Sequence, residues 1–372
     1  MVVFVDTMFY AAITPLLPTL ADEHGLSKSG AGVLAGAYAA GTLLGALPGG
    51  WLAARAGVRP TVLLGLALMI GASVAFALGD SVIVLDAARF LQGVGGAASW
   101  AGALGWLIGA APRERRGELI GSTVAAAIGG ALFGPVLGAA AEEIGRAPVF
   151  GAVAAAGVAI AVWTLLTPAA VPGRAPTRRE LAAALRERRV TAGMWLTAVP
   201  ALAFGTLSVL GPLRLDELGA SAAIIAGAFL VAAAFEATIS PLAGRLSDRR
   251  GRRIPLLAGL AGCAATMALL PWPASTALLT AVIVVAACAA GMLWAPAMAM
   301  LSDGAESVGV ELGFAFALAN LAWAGGQTAG TAGGARLAEA VGDAVPYLLL
   351  AGLFAATLAA LAVGSRPRPR RA

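Results

Sequence analysis

Long apolar runs alternate with short polar connections from one end of the chain to the other. Hydropathy and helix breakers divide the runs into twelve spans: 2–21, 30–54, 61–79, 82–110, 118–140, 148–169, 192–213, 222–244, 254–272, 275–300, 311–335 and 345–364. Most are roughly 18–25 residues, the length a helix needs to cross a bilayer core. Period-two alternation in ~10-residue segments is absent, which argues against an outer-membrane barrel. Pro15, Pro18, the Gly49/Gly50 pair and Pro296 fall inside spans. Neighbouring helices can satisfy the backbone groups these residues free, so they need not end a span.

Composition agrees with the pattern. The chain is 59% hydrophobic and 12% charged, with a mean hydropathy of +0.87, against about 25% charge in a soluble domain. A net charge of +5 would suit nucleic acid, but the positions of the charges point elsewhere. Twenty of the 25 Lys and Arg residues fall in connections on one side of the predicted spans. Four (Lys28, Arg146, Arg214, Arg336) fall on the other, and Arg89 lies inside a span. That asymmetry is the positive-inside signature. It places both termini and the 170–191 connection in the cytoplasm of a cell whose inner membrane holds the protein. The predicted surroundings are lipid, with no nucleic-acid partner. Cys263 and Cys288 lie in apolar spans, as small core residues do. The first span has no basic leader and carries Asp6, which marks a retained helix rather than a signal peptide.

Two halves are visible. Gly244-Arg-Leu-Ser-Asp-Arg-Arg-Gly-Arg-Arg253 has a degraded copy, Gly50-Trp-Leu-Ala-Ala-Arg-Ala-Gly-Val-Arg59, 194 residues earlier. Gly117-Glu118-Leu119 is repeated as Val310-Glu311-Leu312, and Gly130, Gly134 and Gly138 as Gly326, Gly330 and Gly334. The predicted fold is an all-α membrane protein of twelve transmembrane helices in two pseudo-symmetric six-helix bundles. The bundles occupy 1–169 and 192–372, the second with a short basic tail, and a cytoplasmic linker, 170–191, joins them. Within the linker, Thr177–Arg189 reads equally as an amphipathic helix on anionic headgroups or as a solvated connection.

Asp248, Arg249, Gly251, Arg252 and Arg253, with Gly244 ahead of them, resemble the signature loop of major facilitator superfamily transporters, and the resemblance extends over essentially the whole chain. It implies a gate latch at the cytoplasmic ends of the helices, with Glu118 and Glu311 as further gating positions. In the first-half copy Ala54 replaces the acid, so Arg55 lacks its expected partner. Gly121-x8-Gly130-x3-Gly134-Pro135-x2-Gly138-Ala139 resembles the antiporter motif of the drug:proton exporters within that superfamily. It implies a tight, bending contact between halves; ordinary small-residue packing is the other reading. Val5-Asp6 with Pro15 and Pro18 resembles the first helix of the same exporters. Arg89-Phe-Leu-Gln92-Gly93 resembles a superfamily motif whose arginine influences protonation of a nearby carboxylate. Asp86, three residues before Arg89, can also pair with it on one helix face.

The acids carry the chemistry. A carboxylate at a helix centre costs about 2.5–3.5 kcal/mol on insertion scales, so Asp6 and Glu236 are functional candidates. Each could exchange a proton or bind a cationic group; Asp6 could alternatively cap its helix, and Glu236 could be a structural partner. Tyr10 shares a helix face with Asp6. Asn320, Trp323 and Gln327 form a polar stripe on the eleventh span, and Gln92 and Trp100 follow Arg89 at cavity-facing steps. Trp294 and Phe316 are possible apolar walls. No phosphate-binding loop, zinc-ligand spacing or nucleophile elbow occurs in the sequence, so neither an enzyme nor a metal or cofactor is expected. The predicted function is secondary active transport by a monomer, through proton-coupled efflux of amphipathic or cationic small molecules. The alternatives are a proton-coupled metabolite uptake symporter of the same fold, or a non-transporting sensor or scaffold.

Overall fold

In the computed structural model, residues 1–110, 116–168, 177–310 and 312–363 are described. They are helical almost throughout, with no strand. The first span is two helices, α1 (Val2–Ala11) and α2 (Ile13–Glu23), bent by 40°. Pro15 explains the break: it has no N–H for the Ala11 carbonyl, and its ring crowds that carbonyl. The next five spans are α3 (Lys28–Arg55), α4 (Val58–Leu78), α5 (Val82–Ala110), α6 (Arg116–Ile144) and α7 (Arg146–Leu166). After the short α8 (Arg178–Arg186) come α9 (Arg188–Glu217), α10 (Ala222–Arg250), α11 (Arg253–Leu269) and α12 (Thr276–Ser307). The eleventh span is α13 (Leu312–Thr328), a π-helical turn over Ala329–Gly334, and α14 (Ala335–Val341). The twelfth is α15 (Ala344–Val363).

Eight of these helices are long and apolar enough to cross a membrane, and the bent α1/α2 pair makes a ninth crossing. The other three predicted spans are α5, the 17-residue α11, and α13 with its π turn. Large apolar side chains such as Leu78, Ile83, Trp163, Leu166 and Trp272 point outward, as lipid-facing residues do. One hydrophobic core draws mainly on α1–α7 and a second on α9–α15. The fold is two six-helix bundles.

The repeat reappears in the turns. Gly25 and Gly219 (φ +60° and +81°), and Gly57 and Gly251 (φ +98° and +84°), recur at an interval of 194 residues. At each the chain needs a left-handed backbone that a side chain would strain. Gly57 separates α3 from α4 and Gly251 separates α10 from α11, so the basic loop is the same turn in both bundles.

The glycine stripes repeat too. A methyl group on Gly130 would lie 2.2 Å from the Phe4 carbonyl, on Gly134 2.8 Å from that of Met8, and on Gly138 2.1 Å from that of Ala12. On Gly326 it would lie 2.2 Å from the Ala198 carbonyl, and on Gly330 2.1 Å from that of Leu202. Each stripe therefore seats the fifth helix of its bundle on the first helix of the same bundle. Gly134 itself meets α1 of its own bundle, while α6 as a whole also packs on α10 of the other.

The linker helix α8 opens with a capping box: Thr177 Oγ1 accepts from the Glu180 amide, and the Glu180 carboxylate accepts from the Thr177 amide. Its apolar residues are divided between the protein and the surface: Leu185 is exposed. Ala184 is fully buried and packs with Val190, Leu301, Ala305 and Val310 of the second bundle.

Candidate functional site

Between the bundles lies a cavity of about 1270 Å³. It is walled by Tyr10, Tyr38, Trp100, Glu236, Trp294 and Trp323 at mid-depth, and Asn320 and Phe316 also line it. It extends to the end of the molecule that carries the basic loops, where Trp51, Ala54, Glu180 and Leu181 border it. On α3 its lining begins at Tyr38. Beyond that point the bundles are shut together. Gly32 and Gly36 approach the π turn so closely that a methyl group on either would lie within 2.6 Å of Thr331 atoms. At the rim, Lys28 Nζ donates to both Asp343 carboxylate oxygens at 2.7 Å and lies 3.8 Å from Glu217. The Ser29 amide donates to Glu339 at 2.7 Å. These contacts join α3 to α9, α14 and the turn before α15.

Asp6 is fully buried behind the cavity wall. The Tyr38 hydroxyl donates to its Oδ2 at 2.8 Å and the Trp100 indole N–H at 2.9 Å, while Oδ1 has no partner. Gly96 makes room for it: a methyl group there would sit 2.5 Å from Oδ1 and 2.9 Å from the Tyr38 hydroxyl. Arg89, 1% exposed, is turned toward the break between α1 and α2. Its guanidinium donates to the Phe9 carbonyl at 3.2 Å, to the Tyr10 carbonyl at 3.1 Å and to Gln92 Oε1 at 2.8 Å. It also lies over the Tyr38 ring at 5.3 Å. A buried arginine thus satisfies carbonyls beside the proline break, where helical donors are scarce. The i,i+3 pairing with Asp86 is not formed among the described residues. Tyr10 packs on Tyr38 at 4.8 Å and, across the bundle boundary, on Trp323 at 5.4 Å.

Glu236, on α10, sits in the wall of the second bundle. The Trp294 indole N–H donates to its Oε1 at 2.8 Å, and Glu236 itself lines the cavity. Among the described residues it has no second side-chain donor. Gln327 is 1% exposed, in the last turn of α13 just before the π segment.

The basic-loop residues lie at the far mouth, apart from this cluster. Asp248 is exposed at the end of α10. The described ion pair in this loop is Arg252 to Asp303 of α12, at 2.7 Å, within the second bundle. In the first bundle Arg55, without its acid, stacks over Trp51 at 4.5 Å. Pro135 lines the cavity. The side chains of Glu118 and Glu311 lie outside the described residues.

Sequence reasoning missed Tyr38 as a ligand of Asp6, although a tyrosine in an apolar span is itself a signal. It treated Trp294 only as a wall. Trp294 stands 194 residues after Trp100, and that repeat could have exposed its role. The Lys28–Asp343 bridge spans 315 residues of sequence and leaves no local trace.

Comparison with known proteins supplies the wider setting. The sequence model of the Major Facilitator Superfamily matches residues 1–309 and 196–372. A chloramphenicol resistance protein of Streptomyces lividans is 32% identical over 270 residues, 70% of this chain and 66% of that protein. The transporter ppzB of Metarhizium rileyi is 30% identical over 162 residues, 42% of this chain and 34% of its own length. The chain thus spans just under two thirds of the first relative and about a third of the second. Among solved structures, a bacterial homologue of the human lysosomal transporter Spinster, inward-facing and unoccupied, superposes with a TM-score of 0.77 at 17% identity, covering 99% of this chain and 97% of that one. A D-xylose–proton symporter superposes with a TM-score of 0.72 at 19% identity, covering 96% and 95%.

Proposed function

Because the chain belongs to the Major Facilitator Superfamily and is a multi-pass membrane transporter, we propose that it is a proton-coupled exporter of amphipathic or cationic small molecules working by alternating access. The observation that carries this reading is Asp6. It is a wholly buried carboxylate with one oxygen unpartnered, and it is held by two side chains, Tyr38 and Trp100, that themselves line the substrate cavity. A charge in that position is costly and a proton relieves it. A substrate that displaces Tyr38 or Trp100 changes the donors on Asp6, and with them its hold on the proton. Binding and protonation thereby compete through shared side chains.

In this reading the basic-loop end is cytoplasmic and both termini are inside, on the charge asymmetry of the connections. The membrane is the cell's inner membrane, and the boundary between bundles falls at 170–191. The cavity then opens to the cytoplasm while the Lys28–Asp343 bridge and the Gly32/Gly36 crossing close the outer side. Substrate enters, Asp6 gives up its proton inward, the bundles rock, and an outside proton reloads the acid. Asp248, Arg249 and Arg252 close the cytoplasmic side in the second half of the cycle. The resistance function named for the Streptomyces relative favours export, with chloramphenicol as a first compound to try.

The test uses purified full-length protein in proteoliposomes with an imposed pH gradient. Chloramphenicol should move against the direction of proton flow, and Asp6→Asn should reduce that movement to the rate of protein-free vesicles. Movement in the same direction as the protons would establish the symporter reading instead. Unimpaired, gradient-driven transport by Asp6→Asn would remove Asp6 from the mechanism.

A further inference from the structure

The two bundles hold their intramembrane acids differently, and the difference divides labour between them. Trp100 and Trp294 occupy equivalent places, 194 residues apart, and each indole N–H donates to a carboxylate. The rest of the setting is not repeated. At the same interval Tyr38 corresponds to Ala232 and Arg89 to Ile283, both buried and apolar. The acids themselves come from non-equivalent helices: Asp6 corresponds to Pro200, and Glu236 to Thr42. The first bundle thus surrounds its acid with a second hydroxyl donor and a nearby guanidinium. The second bundle gives its acid one neutral donor and no cation among the described residues. The first acid is sealed behind the wall, whereas the second is part of the wall.

We infer that Glu236, with Trp294, is the binding subsite for the positive charge of a monovalent organic cation, while Asp6 is reserved for the proton. This rests on the export reading and assigns a substrate class to one of its residues. An ionised Glu236 in an apolar cavity needs a counter-charge that the described residues around it do not supply. A cationic substrate supplies it. The indole holds Oε1 and leaves the rest of the carboxylate to the ligand, and the Trp294 face beside it stabilises a cation directly. Trp323 and Tyr10, packed together across the bundle boundary and lining the same cavity, offer an aromatic surface for the ligand's rings. A neutral amphiphile uses the same walls without needing Glu236. The cavity therefore accepts both classes, and Glu236 affects only one.

The experiment compares two probes of similar shape, tetraphenylphosphonium and neutral triphenylphosphine oxide. Binding and proton-driven transport are measured on purified wild type, Glu236→Gln and Glu236→Asp. Glu236→Gln should weaken tetraphenylphosphonium binding about thirtyfold or more, the scale of a lost buried charge contact, and leave the neutral probe within about twofold. Glu236→Asp should recover much of the cation binding. Preserved handling of the neutral probe shows that the variant is folded. Equal loss of both probes, or retention of cation binding by Glu236→Gln, overturns the subsite while leaving proton-coupled export standing. A wild type that neither binds nor moves tetraphenylphosphonium overturns the subsite, while chloramphenicol movement in the same vesicles decides the export reading separately.

Discussion

Trp100 and Trp294 make the same hydrogen bond in two halves of one repeat, yet the acids they hold have opposite settings. Asp6 is sealed, doubly held and close to Arg89; Glu236 borders the cavity with a single donor. The repeated part is scaffold: turn glycines at 57 and 251, stripes seating α6 on α1 and the α13 segment on α9. The non-repeated part is chemistry. A duplicated frame fixes where side chains can point. Unequal substitutions at Tyr38/Ala232 and Arg89/Ile283 then give its two walls different work.

The largest expected effect bears on this difference directly. Asp6→Asn should abolish proton-driven movement of cationic and neutral substrates alike, whereas Glu236→Gln should reduce only the movement of cations, about thirtyfold or more at low concentration. Flux of both substrate classes under a pH gradient checks it, and two variants with the same selectivity profile would erase the distinction between the walls.

The shared scaffold should respond symmetrically. Gly134→Val and Gly330→Val each push a side chain into a facing helix backbone, Met8 in one bundle and Leu202 in the other. Each should cost at least ~1–3 kcal/mol, the usual penalty of overpacking, and depress both substrate classes together. Thermal unfolding in detergent reads the loss; one stripe tolerating valine while the other does not would limit the symmetry to sequence. Gly96→Ala is the asymmetric counterpart. Its methyl crowds Asp6 and Tyr38, so it should impair coupling even where the melting temperature is little changed.

Removing the indoles sharpens the comparison further. A hydrogen bond to a charged group is worth about 1.5–3 kcal/mol. Trp294→Phe takes the only described side-chain donor from Glu236, whereas Trp100→Phe leaves Tyr38 on Asp6. Trp294→Phe should therefore disturb cation affinity more than Trp100→Phe disturbs coupling. Binding titrations and gradient-driven flux measure the two; the reverse order would show that Tyr38 does not hold Asp6 in place.

The smallest effect belongs to the exposed loop. Arg252→Ala breaks a half-exposed pair with Asp303 and should cost stability only about 0.2–1 kcal/mol, read in the same unfolding assay. A much larger loss would make the pair a structural anchor of the second bundle.

The legibility of these features followed their range in sequence. Span lengths, the basic loops and the glycine stripes were readable because local hydropathy and a fixed interval encode them. Asp6 and Glu236 stood out because a carboxylate in an apolar helix is costly, Tyr10 because it shares a helix face with Asp6, and Trp100 because it follows Arg89 at a cavity-facing step. Which partners they have was not readable. Tyr38 reaches Asp6 where α1, α3 and α5 meet beside Gly96, a packing that no local pattern encodes. The spacing of Asp86 and Arg89 suggested a pair, but the carbonyls beside the Pro15 break drew the guanidinium inward. Composition suggested that Thr177–Arg189 lies on lipid or in solvent. What it did not reveal is that Ala184 packs on Leu301 and Ala305, near the end of α12, and on Val310.

The account's central claim is that substrate and proton compete through Asp6. The most direct measurement is proton release from purified protein in weakly buffered detergent solution when a neutral transported substrate is added. Wild type should release protons on binding, and Asp6→Asn should bind the same substrate and release none. Equal release from Asp6→Asn and wild type would contradict the account.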